Sequence, residues 1–128
     1  GRWQKISDNP LIICDIAHNE AGIAEVLNSI NELEVSNLHI VMGMVKDKDI
    51  AKVLAILPKQ ALYYFTQAHT PRALSAEDLR VKALDYNLQG EEFENVNLAI
   101  ENAKSKASSD DLIVVCGSTF LIAEVEGV

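Results

Sequence analysis

Within five residues, Asp15, His18 and Asn19 bring a carboxylate, an imidazole and an amide to the end of the apolar run Leu11–Ile12–Ile13–Cys14. A carboxylate there can accept hydrogen bonds from ribose hydroxyls, as carboxylates do in doubly wound folds, or it can cap the turn that follows. The imidazole can bond a sugar or a nearby carboxylate, or stand half exposed near a helix start. Asn19 suits helix capping better than ligation. Further on, Met44–Val45–Lys46–Asp47–Lys48–Asp49 alternates charges in a loop. Lys46 or Lys48 can meet a phosphate or carboxylate there, or the loop is solvated and Asp49 caps a helix. In His69–Thr70–Pro71–Arg72, the planar guanidinium can hold a carboxylate through two bonds or form a surface ion pair. Gly117–Ser118 is either a backbone N–H approach to a ligand or a plain turn.

The elements that must position these residues alternate regularly. Leu11–Cys14 reads as a strand. A helix follows from Asn19 to Leu33, with Ile23, Val26, Leu27, Ile30 and Leu33 at helical spacing. Leu38–Met42 is a strand stopped by Gly43, and Asp49 opens a helix through Leu57 that Pro58 ends. Ala61–Thr66 is an aromatic-rich strand; Ser75 and Asp78 resemble a capping box for a helix to about Tyr86. A short strand at Glu91–Phe93, a helix from Asn95 to about Ala107 and a strand at Leu112–Cys116 complete the alternation. Phe120–Val125 alternates enough for a final strand, a short helix being the alternative. The expected fold is α/β: a Rossmann-like open, mostly parallel sheet of about six strands flanked by helices, its last strand antiparallel. Right-handed crossovers would bring segments 15–19, 43–49, 66–72 and 117–119 to one rim.

Composition narrows the options. A chain of 128 residues, 48% hydrophobic and 23% charged, suits one soluble domain. Its net charge of −8 argues against nucleic acid, which needs a concentrated basic surface. No apolar run approaches the roughly 20 residues of a membrane span, and the N-terminus lacks a signal-peptide pattern. The missing initiator Met hints at an excised fragment. Cys14 and Cys116 form no CxxC or metal spacing and read as buried thiols in a reducing, cytoplasmic setting. Trp3, Tyr63 and Tyr64 read as packing residues. Neither GxGxxG nor GxxxxGK[ST] is present, and no metal-ligand spacing or Ser/His/Asp elbow occurs. A self-sufficient hydrolase is therefore not expected. Any nucleotide would be bound by individual side chains, or at a site completed elsewhere.

Taken in order, Gly1–Arg2, Asp15–Ile16–Ala17–His18–Asn19–Glu20, Gly43 with Asp47–Lys48–Asp49, Pro71–Arg72 and Gly117–Ser118 resemble the C-terminal domain of folylpolyglutamate synthase, in the wider Mur ligase family. Two positions depart from that pattern: Ile16 stands where it has Gly, and Glu20 where it has Pro. The resemblance implies a fragment, residues 1–128, of a larger ligase whose P-loop ATPase domain lies elsewhere. Such enzymes use ATP and Mg²⁺ to activate a folate or dihydropteroate carboxylate as an acyl phosphate, which the amine of glutamate attacks. It implies nucleotide contacts from Asp15, His18 and Asn19. Arg72 and Ser118 become candidates for the incoming glutamate, with Lys48 either a ligand contact or a loop organiser. No catalytic or metal-binding residue is implied within this chain alone, which should lack turnover. The competing readings are a cell-wall Mur ligase domain and a stand-alone binding or receiver-like module.

Overall fold

The computed structural model describes residues 3–46 and 50–127. Six strands, β1 (Gln4–Asp8), β2 (Leu11–Cys14), β3 (Leu38–Met42), β4 (Leu62–Phe65), β5 (Gly90–Glu92) and β6 (Leu112–Cys116), form one sheet in the order β1-β2-β6-β3-β4-β5. All neighbours are parallel except β1 and β2, which form an antiparallel hairpin. The helices are α1 (Glu20–Asn31), α2 (Ile50–Ile56), α3 (Ala76–Leu84), α4 (Val96–Lys106) and α5 (Thr119–Ala123).

The sheet is open and mostly parallel, as the alternation implies, but its antiparallel member is the first strand rather than the last. Gln4–Asp8 escapes periodicity because an edge strand needs little apolar surface: only Ile6 in it is apolar. Phe120–Val125, expected as a strand, instead lies within and just beyond α5. Ser118 caps that helix, accepting from the N–H groups of Phe120 and Leu121. Helical spacing then buries Leu121, Ile122 and Val125 together.

The chain moves one way along the sheet from β2 to β5, then returns to insert β6 between β2 and β3. Right-handed crossovers in opposite directions put helices on opposite faces. Accordingly, α1, α2 and α3 pack with Ile13, Ile40, Phe65 and Val114 on one face. On the other, α4 and α5 pack with Ile12, Val41, Tyr64 and Val115. Successive residues of β6 alternate between these two cores, so all five are buried and the strand reads as an unbroken apolar run. Where strand order reverses, helices diverge and leave a crevice at the carboxyl ends of the strands.

Candidate functional site

Three strands end together at that crevice. The Asp15 N–H donates to the Val115 carbonyl at 2.9 Å, and the Gly43 N–H reaches the Cys116 carbonyl at 3.4 Å. The Gly117 N–H donates to the Ala17 carbonyl at 2.9 Å. Gly117 has φ +115°, and a Cβ on it would lie 2.3 Å from the Gly43 carbonyl oxygen. Glycine is therefore required for this meeting of β2, β3 and β6.

Around the knot, His18, Val45, Arg72, Ser118, Thr119 and Phe120 line a cavity of 220 Å³. All four expected rim segments contribute to it. The exposed His18 ring turns back so that Nδ1 lies 3.3 Å from the Ile16 carbonyl. A carbonyl only accepts, so Nδ1 carries a proton there and Nε2 is the nitrogen left for a ligand. Arg72 lies in a loop tied to the one after β3. Lys46 N–H donates to the Arg72 carbonyl at 2.8 Å, Leu74 N–H donates to the Met44 carbonyl at 2.9 Å, and Val45 bridges Ala73. The Arg72 guanidinium lies over the Phe120 ring, 5.5 Å from its centroid. This contact leaves its N–H edge free for a planar anion. Ser118 is buried with its oxygen occupied by two backbone N–H groups, so its remaining capacity is one donated O–H. The polar lining thus brings together one cation, Arg72, the hydroxyls of Ser118 and Thr119, and His18 Nε2, with no acidic side chain among the described residues that line it.

Asp15 and Asn19 do not join that cavity. Asp15 turns inward, 3% exposed, and accepts the Ala17 N–H at 2.9 Å. It lines a second cavity of 120 Å³ with Trp3, Gly22, Glu25, Val26 and Ser29. Asn19 caps α1, its side-chain oxygen accepting the Gly22 N–H at 2.9 Å. Ile16, in the place of the resembling pattern's Gly, packs half-buried against the α4–α5 core. Lys48, with Asp47 and Asp49, lies outside the described residues, as do Gly1 and Arg2. Cys14 and Cys116 are buried free thiols. Burial pushes Cys14 up to about 11, and burial with the nearby Asp15 and Cys14 pushes Cys116 up to about 12.

Residue chemistry alone overlooks Val45, Thr119 and Phe120 in the first cavity and Trp3 in the second. The apolar ones look like packing, although Trp3 and Phe120 remain 39% and 38% exposed. It also overlooks a buried network toward the amino ends of β3 and β6. His39 Nε2 donates to Asp111 at 2.9 Å, while Nδ1 lies 2.8 Å from the Tyr64 hydroxyl. Burial alone would raise the Asp111 carboxyl, but bonds from His39, Ser108 and Asn37 hold it down at about 2. This network ties strands together away from the crevice. Among the described residues, no three His, Cys, Asp or Glu side chains gather to hold a metal. No helix of these residues is long and apolar enough to cross a membrane.

The chain is similar to known proteins over nearly its whole length. The Escherichia coli dihydrofolate synthase/folylpolyglutamate synthase is 33% identical over 127 residues; the match covers 98% of this chain but 29% of that protein. A solved structure of Escherichia coli FolC in complex with DHPP and ADP superposes with a TM-score of 0.84 at 33% identity, covering 96% of this chain and 29% of that one. A bifunctional folylpolyglutamate synthase/dihydrofolate synthase with Mn, AMPPNP and L-glutamate bound gives a TM-score of 0.83 at 31% identity, over 96% of this chain and 30% of that one. The chain therefore spans under a third of these relatives. The family model described as "Mur ligase, glutamate ligase domain" matches residues 1–119, which takes in the described lining residues of the first cavity except Phe120, and the chain belongs to that family.

Proposed function

We propose that the chain is the C-terminal domain of a cytoplasmic, ATP-dependent folylpolyglutamate or dihydrofolate synthase. In this reading residues 1–128 form one domain of a larger ligase. The parent joins a folate or dihydropteroate carboxylate to the amine of glutamate through an acyl phosphate. The observation that carries the reading is the lining of the first cavity, where the Arg72 guanidinium and the Ser118 hydroxyl converge beside His18 with no acidic side chain among the described residues that line it. Such a lining complements a carboxylate, and in a chain of net charge −8 it is a local reversal of the overall field.

Within that reaction Arg72 clamps a carboxylate of glutamate in the plane set by Phe120, and the Ser118 hydroxyl donates a further bond. His18 Nε2 faces the same space and contacts the nucleotide, with Asp15 accepting from the sugar. Asn19 holds the α1 start in register rather than reaching ligand. Holding two reactants in fixed geometry is the contribution these residues can make. By the family resemblance, Mg²⁺ and the phosphate-cradling loop are assigned to the central domain of the parent.

The test is turnover. The full-length ligase should form the amide product with ATP, Mg²⁺, a folate or dihydropteroate and glutamate. The 128-residue chain alone should hydrolyse no ATP. Activity of the full-length protein only on muramyl substrates would assign it to cell-wall synthesis, and metal-dependent ATPase activity of the isolated chain would overturn its half-site role.

A further inference from the structure

We infer that Asp15 and Ile16 are positioning residues for His18, acting through the one peptide group that joins Ile16 to Ala17. That group is a trans peptide, so its N–H and its carbonyl point in opposite directions. The N–H donates to Asp15 Oδ1 at 2.9 Å, and the carbonyl lies 3.3 Å from His18 Nδ1 on the other side. A buried carboxylate thus polarises a peptide whose far end receives the imidazole proton. The consequence is a chosen tautomer. Nδ1 keeps its proton, and Nε2 is left as an acceptor for the cavity that His18 shares with Arg72 and Ser118. A histidine ring free in water prefers the reverse arrangement, with its proton on Nε2.

Ile16 is what keeps that peptide from turning. Its neighbours are pinned, the Asp15 N–H to the Val115 carbonyl and the Ala17 carbonyl to the Gly117 N–H, both at 2.9 Å. The peptide plane between them rotates unless residue 16 resists. A β-branched side chain resists, because it narrows the allowed backbone conformations. Ile16 also packs half-buried against the core that holds Leu121 and Ile122 of α5. Among the described residues other than glycine only Asn87 has a positive φ, so Ile16 sits in a conformation that suits it. Glycine, which the resembling pattern has at this position, would free the plane. Ile16 therefore presets an imidazole orientation that glycine would leave to the ligand. Its bearing on turnover rests on the reading of His18 as a ligand contact.

Imidazole ¹⁵N shifts read the tautomer directly, because protonated and bare ring nitrogens resonate far apart. The labelled chain has three histidines, and the His18→Ala spectrum identifies the ring in question. At about pH 9, where imidazoles are neutral, His18 should be mainly the Nδ1–H form. Ile16→Gly should lower the ratio of Nδ1–H to Nε2–H about fivefold, the effect of losing one hydrogen bond, and Ile16→Val should hold it near the parental value. Asp15→Ala should lower the ratio likewise; should that variant not fold, Ile16→Gly decides alone. A parental ring mainly in the Nε2–H form overturns the inference. So does a ratio unmoved by Ile16→Gly or by a folded Asp15→Ala, or one that falls as far in Ile16→Val as in Ile16→Gly. In the full-length ligase, Ile16→Gly should lower kcat/KM about three- to fivefold with His18 present and have no effect in a His18→Ala background. An equal loss in both backgrounds overturns the positioning role. If His18→Ala itself leaves turnover unchanged, the ligand reading of His18 fails, while the tautomer ratios still decide the inference.

Discussion

Glu124 grips His69 twice: its carboxylate accepts the His69 backbone N–H at 2.7 Å and lies 3.0 Å from the ring Nδ1. The end of α5 is thereby fastened to the loop that carries Arg72. The same loop is fastened on its other side by the bridge between Val45 and Ala73. Arg72 is thus displayed from a loop held at both flanks. Replacing Glu124 by Ala should lower unfolding free energy by about 1 kcal/mol, since the pair is partly solvated. It should also raise the amide exchange rate of His69, which can be read by hydrogen exchange. Unchanged exchange at His69 would show that the grip does not order the loop.

Arg72→Lys keeps the charge and removes the planar fork. If a carboxylate is held through two bonds over the Phe120 ring, this substitution should raise the KM for glutamate in the full-length ligase at least about tenfold while leaving the KM for ATP and the melting temperature near parental values. Lysine performing as well as arginine would reduce Arg72 to a point charge.

Gly117→Ala places a methyl group 2.3 Å from the Gly43 carbonyl at a φ that alanine resists. Denaturant unfolding should show a loss of about 2 kcal/mol or more, because backbone on both sides must move. The displaced strand end would carry Ser118 out of the cavity, so ligand binding should fall as well as stability.

The buried Asp111 carboxyl titrates at about 2, below its ordinary 3.8, because bonds from His39, Ser108 and Asn37 to the ionised form outweigh the cost of burying it. A lowered folded-state value means that its contribution is complete above the unfolded value and is lost as pH falls toward 2. Urea unfolding of the parent should therefore lose stability between about pH 4 and pH 2. Asp111→Asn, already weaker at neutral pH, should lose less over the same interval. Parallel curves for the two proteins would remove Asp111 from the acid response.

Cys14 and Cys116 should resist iodoacetamide at pH 8 in the folded chain and react when it is unfolded, because burial keeps both as thiols. Mass spectrometry of the alkylated chain reads this directly. Labelling of Cys116 under native conditions would mean that the β6 end opens to solvent.

Much of this architecture is legible in the residues, for a physical reason. Leu11–Cys14, Leu38–Met42 and Leu112–Cys116 are strands covered on both faces, so nearly every position is apolar and the runs mark their own ends. Ser75, Asn19 and Asn95 announce helix starts because each side chain satisfies an otherwise unpaired N–H. The failures occur where those signals weaken. Gln4–Asp8 is an edge strand recognisable only by its pairing with β2. Phe120–Val125 is too short to separate a period of two from one of 3.6, and there the cap at Ser118 is the better guide. In the crevice, His18, Arg72 and Ser118 are visible from their chemistry. The opposite headings of Asp15 and His18 are not, because one backbone N–H at Ala17 decides them.

The strand order has a consequence for how the chain comes into being. Of the six described strands, β6 is the last to be synthesised, and among the described residues it alone joins β2 to β3. Until residue 116 has been made, the β1–β2 hairpin and the β3–β4–β5 group are two sheet fragments with bare edges facing each other. Domains of this size gain most of their stability cooperatively, so the nascent chain waits, with both edges open to wrong partners, for one five-residue segment to close it. A stop codon before Leu112 should therefore yield an aggregating polypeptide rather than a smaller domain, since what is missing is the middle of the sheet.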